Sequence, residues 1–184
     1  MEFIQLTKHD EKLLDVQARS MALLNYHYTI YPEESLDAVE VLPNKNNQEF
    51  PTDLKFEIKI DNELYTYLIL DRWEAYELVK KRVWNNLDDI YSGDIADILG
   101  EFDQEIFMAL QTSTIDKEQR VKAIKAIIQS SMDVELFLEK VVDRTGCGDW
   151  LNPWDGEEVV FDDWWIYLIE IQNLGDGKYE YKYK

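Results

Sequence analysis

Two β-forming segments followed directly by a helix cap limit the folds open to this chain more than any other feature. Residues 54–60 alternate apolar and charged side chains, and residues 64–70 form an apolar and aromatic run after three polar residues. This pattern is typical of a β-hairpin. Asp71, with Glu74 three residues later, has the spacing of a capping box. The sequence therefore predicts two paired strands that lead directly into a helix.

The remaining segments predict an α+β fold, in which a small antiparallel sheet packs against helices. Apolar residues recur at helical spacing over about residues 8–24, 72–87, 94–110, 116–130 and 132–143. Strand patterns cover residues 54–60, 64–70, 159–161, 164–171 and 178–183. Gly100 leaves open a break of the third helix into two. With 184 residues, 46% of them hydrophobic, the chain is long enough to bury a sizeable core.

The N-terminal part of the chain is set apart by composition. Residues 43–53 are polar and contain two prolines, which is typical of a loop or linker. We therefore expect residues 1–42 to form an N-terminal helical extension and residues 54–184 to form the α+β body, with both parts in one compact unit.

A net charge of −19 at pH 7 restricts the partners of the chain. Such a charge repels nucleic acid and anionic membranes, so we expect neither as a direct partner. The expected partners are basic, above all nucleic-acid-binding proteins, and a homodimer stays open. The N-terminus lacks a signal peptide pattern, and no apolar run approaches the length of a membrane span. A single cysteine fits a reducing cytoplasm, which is the expected location.

The acidic residues are concentrated in two windows. Residues 83–116 and residues 145–177 each contain eight carboxylates and no Lys or Arg. Residues 117–144, between them, carry six basic and five acidic residues, the usual mixture of a solvated helical surface. Because the chain alternates charge in one segment and not in the other two, we interpret the windows as a functional negative surface. Charge reversal at Glu118 and Glu135, in the middle segment, is expected to affect neither folding nor binding.

The two windows supply the predicted partner-binding residues. An unbroken helix over 94–110 would place four acids on one outward face, at offsets of three, four and four: Asp94, Asp97, Glu101 and Glu105. The second window adds four of the six tryptophans, which are either core residues or interface anchors. The predicted partner-binding residues are Asp88, Asp89, Asp94, Asp97, Glu101, Glu105, Asp149, Trp150, Trp154, Asp155, Glu157, Glu158, Asp162 and Asp163.

Catalytic and metal-binding patterns are weak in this sequence. Cys147 would need a base to act as a nucleophile, and the two histidines, His9 and His27, lie far away in the N-terminal part. Two distant histidines and one thiol form no zinc pattern, and the second window contains no calcium-loop pattern. A phosphate-binding glycine loop is also missing from the sequence. We therefore expect a non-enzymatic protein without cofactor or metal ion.

Two stretches resemble segments of small bacteriophage and mobile-element accessory proteins. Residues 67–75, which run into a helix ending at residues 83–86, are similar to a strand, cap and helix unit of that group. Residues 146–167 are similar to its glycine-bearing turn, Asp-Gly-Glu element and final aromatic strand. The likeness covers about residues 54–172. It departs at the glycine turn, where those proteins usually carry a basic residue and a histidine.

The resemblance implies a phage or mobile-element origin, and small acidic proteins of that origin often resemble inhibitors of host DNA defence. The predicted function is therefore a non-enzymatic inhibitor of the anti-CRISPR or anti-restriction type, in the cytoplasm of an infected bacterium. Its carboxylates would occupy a basic channel meant for nucleic acid, as a DNA mimic or a blocker. The alternative is a phage structural or regulatory binding module whose acidity only maintains solubility.

Overall fold

The described part of this computed structural model comprises residues 8–30, 42–43, 54–60, 63–100, 104–152, 156 and 158–173. It contains helices and strands in the α+β class, as predicted. The helices are α1 (Lys8–Ile30), α2 (Arg72–Asn85), α3 (Ser92–Leu99), α4 (Gln104–Gln111), α5 (Lys117–Ser131), α6 (Val134–Thr145) and α7 (Gly148–Leu151). The strands are β1 (Leu42–Pro43), β2 (Lys55–Ile60), β3 (Glu63–Leu70), β4 (Val159–Phe161) and β5 (Trp164–Asn173).

These elements fall into two compact units. Residues up to Trp73, together with those from Leu151 onward, form the sheet unit, and Glu74–Trp150 form the helical unit. The predicted division into an extension, a linker and a body stays a prediction. Among the described helices, none has the length and apolar character that a membrane crossing requires.

The sheet unit is built on an antiparallel sheet with strand order β1-β2-β3-β5-β4. The predicted hairpin is confirmed: β2 pairs with β3 from Lys55 opposite Leu68 to Ile60 opposite Glu63. Strand β5 lies between β3 and β4: it pairs with β3 from Trp165 to Asn173, and its first three residues pair with β4. The register of β3 and β5 shifts between Thr66 and Tyr67, which marks a β-bulge.

Helix α1 packs against one face of this sheet. Leu23 shares a buried cluster with side chains of β2, β3 and β5, among them Phe56, Ile58 and Ile166. Arg19 of α1 is 3% exposed, and its Nη1 donates a hydrogen bond of 2.6 Å to the Ile69 carbonyl oxygen. Apolar burial drives this packing, and the Arg19 bond fixes the helix against β3.

The helical unit encloses a core of apolar side chains from successive helices. The fully buried members include Ala75, Val79, Val83, Leu87, Ile95, Phe107, Ile124, Ile128 and Phe137. Asp116 caps α5, since its carboxylate accepts a bond of 3.0 Å from the Glu118 N–H. Asp133 caps α6 in the same way by accepting from the Leu136 N–H at 3.1 Å. Each such cap stabilises a helix by about 1 kcal/mol.

The prediction of a single helix over residues 94–110 is wrong. Gly100 ends α3 in the left-handed conformation with φ of 74°, and its N–H donates to the Ala96 carbonyl oxygen at 2.8 Å. Glycine adopts this conformation without the steric penalty of a Cβ, which makes it a common residue after a helix. The alternative of two helices is therefore confirmed, and α4 starts again at Gln104.

Other element boundaries also differ from the predictions. Helix α1 continues to Ile30, and α2 ends at Asn85 before a 3-10 turn at Leu87–Asp89. Helix α7 (Gly148–Leu151) lies where the resemblance implies a glycine-bearing turn, and β1 (Leu42–Pro43) reaches into the start of the predicted loop. The strand predicted over 178–183 lies outside the described residues.

Candidate functional site

Four carboxylates of the first acidic window pair with basic residues that follow the window in the chain. Arg120 of α5 contacts Asp88 at 2.7 Å, and Lys117 contacts Asp89 at 2.9 Å. Arg144 of α6 contacts both acids of α3: its Nε lies 2.9 Å from Asp94 and its Nη2 lies 2.9 Å from Asp97. Hydrogen bonding to Asp97 raises the pKa of Arg144. The local excess of acid in the sequence is therefore reduced in the fold.

The other predicted partner-binding residues are more scattered. Glu105 on α4, Asp149 on α7 and Glu158 before β4 are exposed. Trp150 is half-buried, and its Nε1 donates a bond of 2.9 Å to the Thr145 hydroxyl oxygen. The remaining predicted residues, Glu101, Trp154, Asp155 and Glu157, lie outside the described part of the chain.

Only some predicted residues come together within a unit. Arg144 joins Asp94 and Asp97 in the helical unit. Asp162 and Asp163 form the exposed two-residue turn between β4 and β5, with Asp162 at φ of 53°. The common outward face expected for the acids of residues 94–105 does not exist as one helix face, because Gly100 interrupts it. The role of these residues in partner binding stays a prediction.

Side chains of α2 and α6 form a carboxylate cluster that was not predicted from the sequence. Its centre is Lys80 on α2, which is 5% exposed and donates to the carboxylate of Glu135. Lys80 Nζ also lies 3.2 Å from Glu77 Oε1 and 4.0 Å from Glu139 Oε1. We call this group, together with the two residues introduced next, the Lys80 cluster.

A tyrosine and a fourth carboxylate complete the Lys80 cluster. The Tyr76 ring centroid lies 4.8 Å from Lys80 Nζ, within the range of a cation–π contact. The Tyr76 hydroxyl donates a bond of 3.2 Å to Asp143 Oδ1. Glu135, Glu139 and Asp143 stand four residues apart on α6, so they follow one another along one side of that helix.

The Lys80 cluster carries more negative charge than its one ammonium neutralises. Three carboxylates surround Lys80, and the side chains of Glu77, Glu135 and Glu139 are 46%, 60% and 45% exposed. The buried group of the cluster is therefore the cation, and the water-facing groups are the anions. This arrangement presents fixed negative charge whose positions are set by a buried anchor.

The titration behaviour of the Lys80 cluster fits binding better than acid–base chemistry. Burial alone would lower the pKa of Lys80, but the hydrogen bonds to Glu135 and Glu77 outweigh it, and the pKa is raised. Burial, followed by the charge of Asp143, raises the pKa of Tyr76. Lys80 therefore stays charged and Tyr76 stays protonated at neutral pH, so neither acts as a nucleophile or base there.

Other chemistry finds little support in the described residues. Cys147 is 3% exposed, which does not favour a reactive thiol. Among the described side chains, no three His, Cys, Asp or Glu residues lie close enough together to hold a metal ion.

The Lys80 cluster could be predicted only in part from the sequence. The four-residue spacing of Glu135, Glu139 and Asp143 is readable, but the segment also contains Lys140 and Arg144 and therefore has a balanced composition. Arg144 contacts Asp94 on α3 instead, and Lys80 lies on α2, 55 residues before Glu135 in the chain. Because Glu135 contacts a buried lysine, we now expect its reversal to affect stability, contrary to the neutral effect predicted from the sequence.

Comparisons of this chain with protein-family models, with curated proteins and with solved structures gave no match. The resemblance to phage accessory proteins is therefore a hypothesis that rests on the sequence alone. The site has to be interpreted from its own geometry.

Proposed function

We propose that this protein is a non-enzymatic acidic inhibitor that binds the basic nucleic-acid channel of a bacterial defence enzyme, such as a CRISPR effector or a restriction enzyme. The Lys80 cluster is the observation that carries the proposal, because its exposed carboxylates outnumber the cation that holds them. The choice of a defence enzyme as the target rests on the resemblance to phage accessory proteins.

The row of carboxylates on α6 suits a surface that normally binds phosphates. Four residues of an α-helix rise about 6 Å, so Glu135, Glu139 and Asp143 repeat negative charge at short, regular intervals. A net charge of −19 adds long-range attraction to a basic partner and raises the association rate. Carboxylates in a basic channel also displace the same counterions that nucleic acid displaces.

A binding module whose acidity maintains solubility is the second candidate. The pairing of Asp88, Asp94 and Asp97 with arginines favours it, because those carboxylates already have partners within the fold. The two candidates differ in whether the position of the carboxylates matters or only their number.

Two double variants with the same net charge distinguish position from number. Glu77→Gln/Glu139→Gln removes two carboxylates from the Lys80 cluster and leaves the contact of Lys80 with Glu135 in place. Asp94→Asn/Asp97→Asn removes two carboxylates that Arg144 already pairs. We expect the first variant to lower the association rate with a basic target about tenfold and the second to change it much less.

The measurement begins with a tagged protein that captures its partner from a bacterial lysate at low salt. Association rates of the purified partner with the two variants are then recorded over a series of salt concentrations. Duplex DNA added as a competitor should displace the protein, whereas labelled DNA mixed with this protein alone should show no gel shift. Equal rates for both double variants would support the solubility interpretation, and tight binding to bare DNA would contradict the proposed function.

A further inference from the structure

Trp73, in the first turn of α2, is the most exposed large apolar side chain among the described residues, at 70%. A tryptophan usually buries most of its ring, because the ring has a large apolar surface. Within the described ranges, Trp73 has no hydrogen bond, no aromatic neighbour and no cation over its ring. Tryptophan is also enriched among the residues that dominate protein interfaces, so this ring is a candidate contact with a partner.

The two other aromatic residues of α2 each have a lysine over the ring. Lys80 Nζ lies 4.8 Å from the ring centroid of Tyr76, and Lys125 Nζ lies 4.9 Å from that of Trp84. Both distances are within the range of a cation–π contact. Among the described residues of this helix, Trp73 is thus the aromatic side chain without a cation. A cation that occupies the same position on Trp73 would come from another molecule.

A carboxylate stands beside the Trp73 ring. Glu77 follows Trp73 by four residues on α2, so the helix alone places their Cβ atoms about 6 Å apart on one side. The side chain of Glu77 is 46% exposed and shares the single ammonium of Lys80 with two further carboxylates. A carboxylate accepts several hydrogen bonds, so Glu77 can accept another donor from the solvent side. Trp73 and Glu77 together therefore offer one cation both an aromatic face and a negative charge.

The sheet unit contains a complete example of this arrangement. The guanidinium carbon of Arg19 lies 4.5 Å from the ring centroid of Trp164, and Arg19 Nε donates to Asp15 Oδ2 at 2.8 Å. One arginine thus places its flat face on a tryptophan and its edge on a carboxylate. At a site open to water, a guanidinium does this more readily than an ammonium, because it is more weakly hydrated. Arginine is therefore the cation that fits Trp73 and Glu77 best.

We propose that Trp73 and Glu77 bind an arginine of the basic partner, with its guanidinium stacked on the indole and hydrogen-bonded to the carboxylate. This inference rests on the proposed function, because it names the partner side chain that Glu77 of the Lys80 cluster receives. The net charge of −19 attracts any basic surface, whereas the ring of Trp73 distinguishes arginine from lysine. Tryptophan and arginine often carry much of the binding energy of an interface, so this pair should slow dissociation.

Two peptides of equal charge test the choice of arginine. Each is about 20 residues long and repeats three alanines and one basic residue, which is arginine in the first peptide and lysine in the second. Fluorescence anisotropy of the labelled peptides measures both dissociation constants over a series of salt concentrations. Both constants should rise with salt. The arginine peptide should bind about threefold to tenfold more tightly, and the ratio should persist as salt is added, because stacking is screened less than charge attraction.

Trp73→Leu removes the ring and keeps an apolar side chain, so the ratio of the two constants should fall to about one. Tyr91→Leu is the matched control, because Tyr91 is 64% exposed and lies outside the Lys80 cluster. This control should keep the preference for arginine, and circular dichroism checks that both variants fold.

Two results would overturn the inference. The first is an arginine peptide that binds the unchanged protein no more tightly than the lysine peptide. The second is the same preference for arginine in Trp73→Leu and Tyr91→Leu. Neither result would contradict the proposed function, which is tested by the association rates of the two double variants and does not depend on a choice between basic residues.

Discussion

The contact of Lys80 with Glu135 implies that an exposed carboxylate contributes to stability when it pairs with a buried cation. Glu135→Lys would bring a second ammonium to Lys80, which is 5% exposed and has little access to water. The new side chain keeps a route to solvent, because Glu135 is 60% exposed. We therefore expect a loss of about 1–3 kcal/mol in the free energy of unfolding, below the cost of an unrelieved buried charge. Urea denaturation of the variant measures this loss.

Glu118→Lys is the control for that measurement. Glu118 lies in the first turn of α5 and is exposed, so its reversal should cost less than about 1 kcal/mol through the helix dipole. Similar losses for Glu118→Lys and Glu135→Lys would mean that Lys80 does not anchor the Lys80 cluster.

His27 makes the sheet unit sensitive to acid. Burial lowers the pKa of His27 from 6.5 to about 4 in the folded chain, where its ring lies 5.3 Å from that of Tyr67. Between these values the unfolded chain binds a proton that the folded chain does not bind. The stabilisation is therefore complete above pH 6.5 and is lost as the pH falls towards 4, by at most about 3 kcal/mol.

His27→Gln removes this titration from the same buried position. Unfolding free energies of the original protein and the variant, measured from pH 7.5 to 4.5, should converge as the pH falls, because only the original loses the histidine contribution. Carboxylates titrate in both proteins and cancel in the difference. Parallel curves would show that the folded chain binds a proton on His27 as readily as the unfolded chain does.

Helices and strands were predictable where neighbouring residues decide them. The hairpin of β2 and β3 follows from alternation, and the start of α5 follows from Asp116, since both signals act over a few residues. Gly100 was ambiguous because a glycine within a helical pattern is either tolerated or ends the helix. In the structure Gly100 ends α3, because it adopts the left-handed conformation and its N–H donates to the Ala96 carbonyl oxygen.

The charged contacts between helices were not predictable by such local rules. The partners in the helical unit stand far apart in the chain, with Lys117 and Asp89 separated by 28 residues and Lys80 and Glu135 by 55. Counting acids and bases within one window ignores partners on other helices. This is why the sequence overstated the free charge around α3 and overlooked the row on α6.

The excess acid of the whole molecule is distributed over both units. Glu74–Trp150 contain 16 acidic and nine basic residues, and the rest of the chain contains 22 acidic and ten basic residues. The helical unit thus contributes −7 and the remainder −12 to the net charge of −19. Ion pairs reduce the repulsion over a few ångströms, but neither unit is neutral as a whole.

This imbalance predicts that added salt stabilises the folded chain. Contacts such as Arg120 with Asp88, at 2.7 Å, are much shorter than the screening length, so salt weakens them little. Repulsion between distant carboxylates acts over more than the roughly 10 Å screening length at 0.1 M salt and is largely removed. We expect the melting temperature to rise by several degrees between about 0.01 and 0.3 M sodium chloride.

Asp162→Asn/Asp163→Asn separates this charge effect from other actions of salt. Asparagine tolerates the positive φ at position 162, so the turn should be retained. With two fewer negative charges, the variant should melt higher than the original protein at low salt and gain less from added salt. A melting temperature that falls with salt in both would mean that attraction between paired charges outweighs the repulsion of the excess acid.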